Sequence, residues 1–228
     1  SVQNQTYTNW EMLITDDGST DNSIQIIRCL SKQDSRIKIF SIENSGPAVA
    51  RNNSIKNAKG SFLAFLDSDD LWLPEFLSTS ISQISTSEGF VFSSYKRCNE
   101  ITLEEQFSDF IVPEKVTYMD ILKTNSISCL TAFIDIEKLG KYFMPNIMYR
   151  QDMGLWLQYL KKINHAVGIK KPLAIYRIRE ESLSRNKKNL LLHQWSFYRK
   201  IENLTFIASV YLMIIWAYNG IKKYDFNL

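Results

Sequence analysis

Histidine and cysteine are scarce in this 228-residue sequence, and their scarcity removes several classes of catalytic site. The two histidines, His165 and His193, leave almost nothing for a site built on histidine metal ligands or on a Ser-His-Asp triad. The three cysteines, Cys29, Cys98 and Cys129, are odd in number and show no paired spacing. We therefore expect no disulfide framework and no zinc site, and a reducing compartment suits the chain best.

Targeting and membrane-spanning signals are also lacking. The first residues do not resemble a signal peptide, so we expect a cytoplasmic protein. A strongly apolar segment, 204–218, is about fifteen residues long, whereas a helix that crosses a bilayer needs roughly 20. Basic pairs flank it, Arg199-Lys200 and Lys222-Lys223. We predict a helix packed on the domain, and peripheral contact with a membrane surface is the alternative.

The composition is that of a globular protein, with 45% hydrophobic and 22% charged residues. The length suits one α/β domain with appendages, and no repeat or linker divides the chain. Residues 1–95 contain 7 basic and 11 acidic side chains, whereas residues 96–228 contain 20 and 13. The acidic first half suits a metal site. The basic second half suits anionic lipid or phosphate, or it is simply a solvated helical surface. We expect no nucleic-acid partner.

Short apolar runs alternate with helical patterns along most of the chain. We predict strands at 10–15, 37–42, 62–66, 90–95, 128–134 and 173–178, and helices after Asp21 and at 47–58, 74–84, 150–160 and from 187 onwards. This alternation predicts the α/β class, with a mostly parallel, doubly wound sheet and right-handed crossovers. Residues 97–127 are polar, and we predict an irregular excursion near the active site.

A dense acidic cluster directly follows the apolar run 62–66. In open α/β sheets, ligands collect beyond the carboxyl ends of the strands, where Asp67, Asp69 and Asp70 lie. If the chain stays extended, Asp67 and Asp69 point to one side and Asp70 to the other. Their hard oxygen ligands suit Mg²⁺ or Mn²⁺ bound together with substrate phosphates. Asp70 by itself is better explained as a cap or first-turn neighbour of the helix that Pro74 begins.

A second acidic pair, Asp16 and Asp17, follows the run 10–15. Because the carboxyl ends of parallel strands meet at one edge of a sheet, we expect both acidic clusters to line one crevice. Thr20 or Asp21 is predicted to cap the following helix through its side-chain oxygen, so part of this cluster is structural.

Three motifs occur in order in residues 1–95, and together they resemble the nucleotide-sugar domain of family 2 glycosyltransferases, which are inverting enzymes of the GT-A fold. They are Asp16-Asp17-Gly18-Ser19-Thr20-Asp21, Asn44-Ser45-Gly46-Pro47 with Ala50-Arg51-Asn52, and Leu66-Asp67-Ser68-Asp69-Asp70. The resemblance continues more weakly through Arg150-Gln151-Asp152, Tyr176-Arg177-Ile178-Arg179 and Ser182-Leu183-Ser184. Family members begin with a strand and helix that precede the first motif, so the resemblance implies an N-terminal truncation.

The resemblance implies a Rossmann-like GT-A sheet flanked by helices, in three parts. Residues 1–95 would form the nucleotide-sugar-binding half, residues 96–185 the acceptor-binding and catalytic half, and residues 186–228 a C-terminal helical extension that is a candidate for membrane association. The implied reaction moves a sugar from a nucleotide-sugar, usually a UDP-sugar, to a hydroxyl of a growing bacterial-type surface glycan. The acceptor would be either a free glycan or a lipid-linked glycan. The metal would be Mn²⁺ or Mg²⁺.

The resemblance also assigns roles to the donor-side residues. Asp17, beside Asp16, would read the nucleobase. Asp67 would handle the ribose and the metal, and Asp69 would ligate the Mn²⁺ or Mg²⁺ that bridges the diphosphate. Three cations are candidate diphosphate contacts: Arg51, Arg177 and Arg179. A solvated helix residue explains Arg51 as well, and surface charges on a strand are the alternative for Arg177 and Arg179.

Asp152 matches the family's general base, which takes a proton from the acceptor hydroxyl. The residue pattern alone favours a structural interpretation, in which Asp152 is a first-turn carboxylate stabilised by the helix dipole. The resemblance favours the catalytic interpretation instead. The family often has Glu-Asp where this chain has Gln151-Asp152, and commonly a His where it has Arg179. Two other hypotheses remain open: a metal-dependent nucleotidyltransferase, which would usually carry a Gly-rich phosphate loop that is not found here, and a non-catalytic remnant.

Overall fold

The computed structural model describes residues 1–179 and 187–225, and it describes their side chains except those of 187–189 and 221–225. The strands in this part of the chain are β1 (Met12–Asp16), β2 (Ile37–Ser41), β3 (Phe62–Ala64), β4 (Leu71–Trp72), β5 (Phe90–Asn99), β6 (Glu105–Phe110), β7 (Lys115–Val116), β8 (Phe133–Asp135) and β9 (Ala166–Ile178). The helices are α1 (Ser23–Gln33), α2 (Pro47–Asn57), α3 (Phe76–Ile84), α4 (Tyr118–Lys123), α5 (Ile136–Leu139), α6 (Gln151–Leu160), α7 (Lys187–Ser196) and α8 (Phe206–Asp225).

The strands form two sheets. β1 and β2 pair in parallel, with Met12 opposite Ile37 and Asp16 opposite Ser41. The larger sheet has the order β3-β8-β5-β9-β4, and β6 and β7 pair with β5 and β9. In it, β5 and β9 are parallel, whereas β8 runs antiparallel to both β3 and β5, and β4 runs antiparallel to β9.

The core occupies both faces of the larger sheet. Phe90 and Phe92 of β5 point into one cluster, which includes Trp156 of α6, and Val91 between them points into the other. On that second face the rings of Trp72 and Phe76 stack, with centroids 4.3 Å apart. Successive strand residues alternate between faces, so a strand covered on both sides must be apolar throughout. This arrangement explains the continuous apolar run of β5.

The α/β class is confirmed, with a central sheet flanked by helices. The strand directions differ from the expectation, because the larger sheet is mixed and most of its pairs are antiparallel. The prediction of an irregular 97–127 segment was wrong. That segment contains the end of β5, the β6 hairpin partner, β7 and α4, which is closed at its N-terminus by reciprocal hydrogen bonds between Thr117 and Asp120.

Several boundaries also differ from the expectation. β3 ends at Ala64, so the acidic residues after it do not continue a strand. The stretch predicted as a strand at 128–134 contains a 3₁₀ turn at Cys129–Thr131 before the short β8. β9 begins at Ala166, earlier than predicted, and its pairing with β5 shifts register near Pro172. The three cysteines are free in the structure.

Residues 206–218 of the apolar segment 204–218 lie in α8, as predicted for a helix packed on the domain. Leu212 is buried against the main core, and the Asn219 amide donates to the carbonyl oxygen of Lys123 on α4 at 3.5 Å. In the described parts of the chain, no helix combines the length and apolarity that a bilayer crossing requires. The Ser182-Leu183-Ser184 motif lies outside the described residues.

Candidate active site

The loop after β1 is fixed by hydrogen bonds from its carboxylates to backbone amides. Asp16 is buried and accepts from the Ser19 amide at 3.3 Å. Asp17 accepts from the Ser45 amide at 2.8 Å through one oxygen and from the Gly46 amide at 2.9 Å through the other. Asp17 thus joins the end of β1 to the residue that precedes α2.

Two glycines make this junction possible. Gly46 caps α2 with φ +93°, a conformation that other residues rarely adopt. Gly18 has φ +76°, and a Cβ placed on it would lie 3.1 Å from the Asn44 amide nitrogen. The glycines of the two motifs therefore let the loop after β1 and the loop before α2 meet closely.

The loop after β3 has carboxylates that pair with arginines. Residues Asp67 to Asp70 form a turn in which the Asp70 amide donates to the Asp67 carbonyl at 3.0 Å. The Asp67 carboxylate forms an ion pair with Arg51 of α2. The Asp69 carboxylate lies 3.3 Å from the Arg179 guanidinium. The expected common direction of Asp67 and Asp69 assumed an extended chain, and the turn removes that premise.

Arg177 and Arg179, at the end of β9, both reach this loop. The Arg177 guanidinium donates to the Asp69 carbonyl oxygen, and its backbone amide donates to the Asp70 carboxylate at 2.9 Å. Arg179 also approaches Glu100, with 3.7 Å between Nε and Oε2. The two arginines that the sequence singled out therefore lie together at the acidic loop.

Asp70 supports the loop rather than a helix. α3 begins at Phe76 and is preceded by Glu75, so the prediction that Asp70 caps this helix was wrong. Its carboxylate, 5% exposed, instead accepts from the Arg177 amide. Burial raises the pKa of Asp70 to about 7, and the charges of Asp69 and Asp67 add to the shift.

A cavity of about 250 Å³ opens beside this loop. Its wall joins donor-side and acceptor-side residues of the predicted site, because Asp67 and Asp152 both line it. The other lining residues are Tyr95, Phe110, Asn125, Ser126, Ile127, Ser128, Cys129 and Arg150. The rings of Tyr95 and Phe110 stack with centroids 5.0 Å apart and form an aromatic wall.

Asp152 lies in the first turn of α6, as predicted. The Asn125 side-chain amide donates to its Oδ2 at 3.5 Å. Burial raises the pKa of Asp152, against the opposing effects of the Met153 amide and of the charges of Arg150 and Arg51. A carboxylate whose pKa is raised toward neutrality is a better proton acceptor than an ordinary one.

Arg150 precedes α6 and has a left-handed backbone, with φ 67°. Its guanidinium lies over the indole of Trp216 on α8, 5.6 Å from the ring centroid. Arg150 therefore connects the cavity wall to the C-terminal helix. The sequence pattern indicates no separate role for Arg150, because only tertiary contacts distinguish it from other basic residues.

The donor set suits a hard divalent cation by its chemistry. Within residues 1–179 and 187–225, no group of three or more His, Cys, Asp or Glu side chains is arranged to hold a metal ion. Mg²⁺ and Mn²⁺ are commonly bound by one or two carboxylates together with substrate phosphates and water. The oxygens of Asp67 and Asp69 are of that kind, so these residues fit a metal that the substrate helps to bind.

The structure thus places Asp67 and Asp152 on the cavity wall, where Arg51 pairs with Asp67, and it gathers Asp69, Arg177 and Arg179 at the loop after β3. Asp16 and Asp17, which were expected to line the same crevice, are not among the residues that line this cavity. Tyr95, Phe110 and Asn125 line the cavity but were not predicted as site residues from the sequence. Two of these three lie at 97–127, where only a general excursion toward the active site was predicted. Only the tertiary structure shows that these residues line a cavity, since neither an amide nor an aromatic ring in a sequence indicates a cavity by itself.

Comparisons with known proteins identify the family of the chain. The model of the family "Glycosyl transferase family 2" matches residues 1–156. The chain is 40% identical over 226 residues to the putative teichuronic acid biosynthesis glycosyltransferase TuaG of Bacillus subtilis, which covers 98% of this chain and 89% of that protein. It is 36% identical over 231 residues to WfgD of Escherichia coli, a UDP-Glc:alpha-D-GlcNAc-diphosphoundecaprenol beta-1,3-glucosyltransferase. That alignment covers 100% of this chain and 88% of WfgD.

Solved structures of low sequence identity share the fold. S. aureus TarS 1-349 in complex with UDP-GlcNAc matches with a TM-score of 0.67 at 19% identity, over 95% of this chain and 65% of that chain. The mannosyltransferase PcManGT of Pyrobaculum calidifontis, in complex with GDP-Man and Mn²⁺, matches with a TM-score of 0.66 at 16% identity, over 95% and 63%. This chain spans just under two thirds of each. With its GT-A fold, the chain belongs to family 2 of the glycosyltransferases.

Proposed function

We propose that the protein transfers a sugar from a UDP-sugar to a hydroxyl of a lipid-linked precursor of a bacterial surface glycan, with inversion, at the cytoplasmic face of the membrane. The observation that carries the proposal is the cavity that Asp67 and Asp152 share. It has a donor-side carboxylate on one wall and a candidate base on another. The names of TuaG and WfgD, which refer to teichuronic acid biosynthesis and to a diphosphoundecaprenol acceptor, support the choice of acceptor.

Asp152 is the proposed general base. As the acceptor hydroxyl oxygen attacks the anomeric carbon, its proton passes to the Asp152 carboxylate, and the bond from that carbon to the diphosphate oxygen breaks. UDP leaves on the side opposite the attack, so the configuration at the anomeric carbon inverts. Burial of Asp152 favours this role because it raises the pKa toward the working range of a base. The Asn125 amide is placed to orient the carboxylate.

The two acidic loops are the proposed donor site. Asp16 and Asp17 would frame the nucleobase, and a carboxylate that already accepts two amide hydrogen bonds still has lone pairs for a third donor. Asp67 and Asp69 would hold Mn²⁺ or Mg²⁺, which when bound neutralises the charge that develops on the departing diphosphate.

Three arginines complete the proposed donor site. Arg51, Arg177 and Arg179 already contact the loop after β3, through the side chain of Asp67 and through the side-chain and backbone oxygens of Asp69. If the carboxylates of Asp67 and Asp69 were to hold the metal, the guanidinium groups of Arg51 and Arg179 would be available to the diphosphate, whose paired oxygens suit the fork of an arginine.

Thermal unfolding of the purified chain, with and without Mn²⁺ and UDP, GDP or TDP, tests the donor site. A ligand that binds only the folded state raises the midpoint by mass action. At a concentration about 100 times its Kd, UDP with Mn²⁺ should raise the midpoint by about 5 to 10 °C. The rise should require Mn²⁺ and disappear in Asp69→Asn.

The matched control is Glu104→Gln, which makes the same change at an exposed carboxylate outside the site. It should keep the full UDP shift. A cooperative unfolding transition that no nucleotide moves would contradict the proposal and favour a non-catalytic protein. Release of UDP from a UDP-sugar in the presence of a lipid-linked acceptor then tests transfer itself.

A further inference from the structure

One face of α8 exposes a row of large apolar side chains. Ile207 is 81% exposed and Ile214 is 66% exposed, which is unusual for isoleucine in a folded domain. Successive members of the row are one, three or four positions apart, so they share one side of the helix. We call this row the α8 stripe; it consists of Phe206, Ile207, Val210, Tyr211, Ile214 and Tyr218.

The rest of the protein holds this face outward. The opposite side of α8 packs on α4 and on the main core, where Leu212 is 2% exposed. The Asn219 amide donates to the Lys123 carbonyl oxygen, and the ring of Phe206 packs edge-on against Trp195, with centroids 5.5 Å apart. The α8 stripe is therefore a fixed apolar surface of the molecule.

The charges that flank the α8 stripe in the sequence are mainly basic, with Glu202 and Asp225 as the acidic exceptions at its two ends. From Asn203 to Tyr224 the sequence contains no acidic residue. Arg199 and Lys200 are exposed before α8, and the Arg199 guanidinium donates to the Leu204 carbonyl oxygen near the start of the helix. The sequence places Lys222 and Lys223 at the other end. A protein partner usually meets a rim of mixed polarity, whereas basic ends on an apolar helix face match anionic lipid.

We propose that α8 lies in the interface of an anionic lipid bilayer, with the α8 stripe at the boundary between headgroups and acyl chains. The helix then rests parallel to the membrane without crossing it. Apolar burial and the attraction of the basic ends to anionic headgroups both contribute to binding. The occupant of the surface is the bilayer itself.

This placement has a consequence for the site, which rests on the proposed function. Trp216 of α8 contacts Arg150, and Arg150 lines the cavity that contains Asp152. Docking of α8 therefore holds the cavity close to the headgroup layer, where the sugar of a lipid-linked acceptor is presented. The membrane would supply the acceptor at high local concentration, and α8 would fix the approach.

Vesicle co-sedimentation of the full chain tests the proposal. Vesicles of phosphatidylcholine with about 30% phosphatidylglycerol are compared with vesicles of phosphatidylcholine alone. The variant is Ile207→Asp with Ile214→Asp, which leaves the core unchanged because both side chains are exposed. The matched control is Ile26→Asp, an exposed isoleucine on α1. The wild type should sediment with the anionic vesicles, and the double variant should bind at least about tenfold more weakly. Ile26→Asp should bind as the wild type does.

Two results would overturn the proposal. One is equal vesicle binding by the wild type and the double variant, or no binding by either. The other is a dimer of the wild type in solution that the double variant abolishes without any vesicle binding, because a second copy would then cover the stripe. The Mn²⁺-dependent UDP shift should be the same in all three proteins. A failure of the membrane proposal is thereby distinguished from a failure of the donor site.

Discussion

The two acidic loops look alike in sequence but differ in what holds their carboxylates. After β1, both oxygens of Asp17 accept from backbone amides of Ser45 and Gly46. After β3, the carboxylates of Asp67 and Asp69 pair with the side chains of Arg51 and Arg179. Backbone amides are fixed by the fold, whereas an arginine side chain can rotate. The first loop is therefore a rigid frame, and the second can exchange its partners.

This difference suits the two parts of a nucleotide-sugar. A flat base needs a pocket of fixed shape, which amide-bound carboxylates provide. A diphosphate brings its own charge and its metal, and a loop that meets it must give up existing ion pairs. In the proposed donor site, arginines adjacent to the carboxylates would balance the charge of the loop before the ligand binds, and guanidinium groups also bind phosphate well. The comparison predicts that the loops respond differently to the same substitution.

The largest effect is expected at Asp152, which belongs to neither loop and so separates donor binding from transfer. Asp152→Asn should lower kcat by about 10² to 10⁴, the usual contribution of a general base, because an amide cannot take the proton. Its UDP shift should remain, since the donor loops are intact. Rates of UDP release from a UDP-sugar, with acceptor present, measure the effect. Asp152→Asn with an unchanged rate would remove Asp152 from the chemistry.

The next prediction compares the effect of the same Asp→Asn substitution on the free energy of unfolding in the two loops. Asp17→Asn should lower the free energy of unfolding by about 1 to 3 kcal/mol, because one of the two backbone amides then faces an NH₂ group and loses its acceptor. Asp67→Asn should change it by less than about 1 kcal/mol, since an ion pair between partly exposed groups contributes little.

Urea unfolding at pH 7 without ligand measures both variants, and the UDP shift gives the second readout. Asp67→Asn should lose the Mn²⁺-dependent shift although it keeps its stability. Equal destabilisation by the two variants would show that both loops depend on their carboxylates in the same way, and the distinction between a rigid and an exchangeable loop would not hold.

The positions of the acidic loops could be predicted from the sequence, but not their partners. Short apolar runs followed by aspartates identify strand ends, and the pattern of α6 places Asp152 in its first turn. The partners are distant in sequence: Asp17 meets residues 28 and 29 positions away, and Asp70 meets the amide of Arg177, 107 positions away. Such contacts depend on how the sheet assembles, which local periodicity does not contain.

The wrong prediction that residues 97–127 are irregular has a related cause. β6 contains mostly exposed side chains, so it lacks the alternation of apolar and polar residues that marks a half-buried strand. Its strand conformation comes from pairing with β5, whose own length exceeds the apolar run. The place of the cavity residue Phe110 follows from that pairing, since Phe110 lies opposite Tyr95, whereas Asn125 lies beyond α4. The acceptor side of the site was therefore less predictable than the donor side, where the motifs are local.

The smallest effect concerns pH and tests whether the loop after β3 carries a buried carboxylate that is neutral when folded. The pKa of Asp70 is about 7 in the folded protein, whereas an unfolded aspartate has a pKa of about 3.9. Between these values the folded state binds more protons, so the contribution of Asp70 to stability falls as pH rises from about 4 to 7. Asp70→Asn keeps an oxygen for the Arg177 amide and removes this titration.

The free energy of unfolding of Asp70→Asn minus that of the wild type should therefore increase with pH by at least about 1 kcal/mol across this window. Urea unfolding of both proteins at pH 5, 6, 7 and 8, with a chelator to remove metal, gives the difference directly. Asp34→Asn is the matched control. The hydrogen bond with Arg36 lowers the pKa of Asp34 to about 2, so its carboxylate does not titrate in this range. Parallel curves for Asp70→Asn and the wild type would mean that Asp70 is ionised throughout. The loop after β3 would then carry three negative charges against its arginines, and its need for a cation would be greater still.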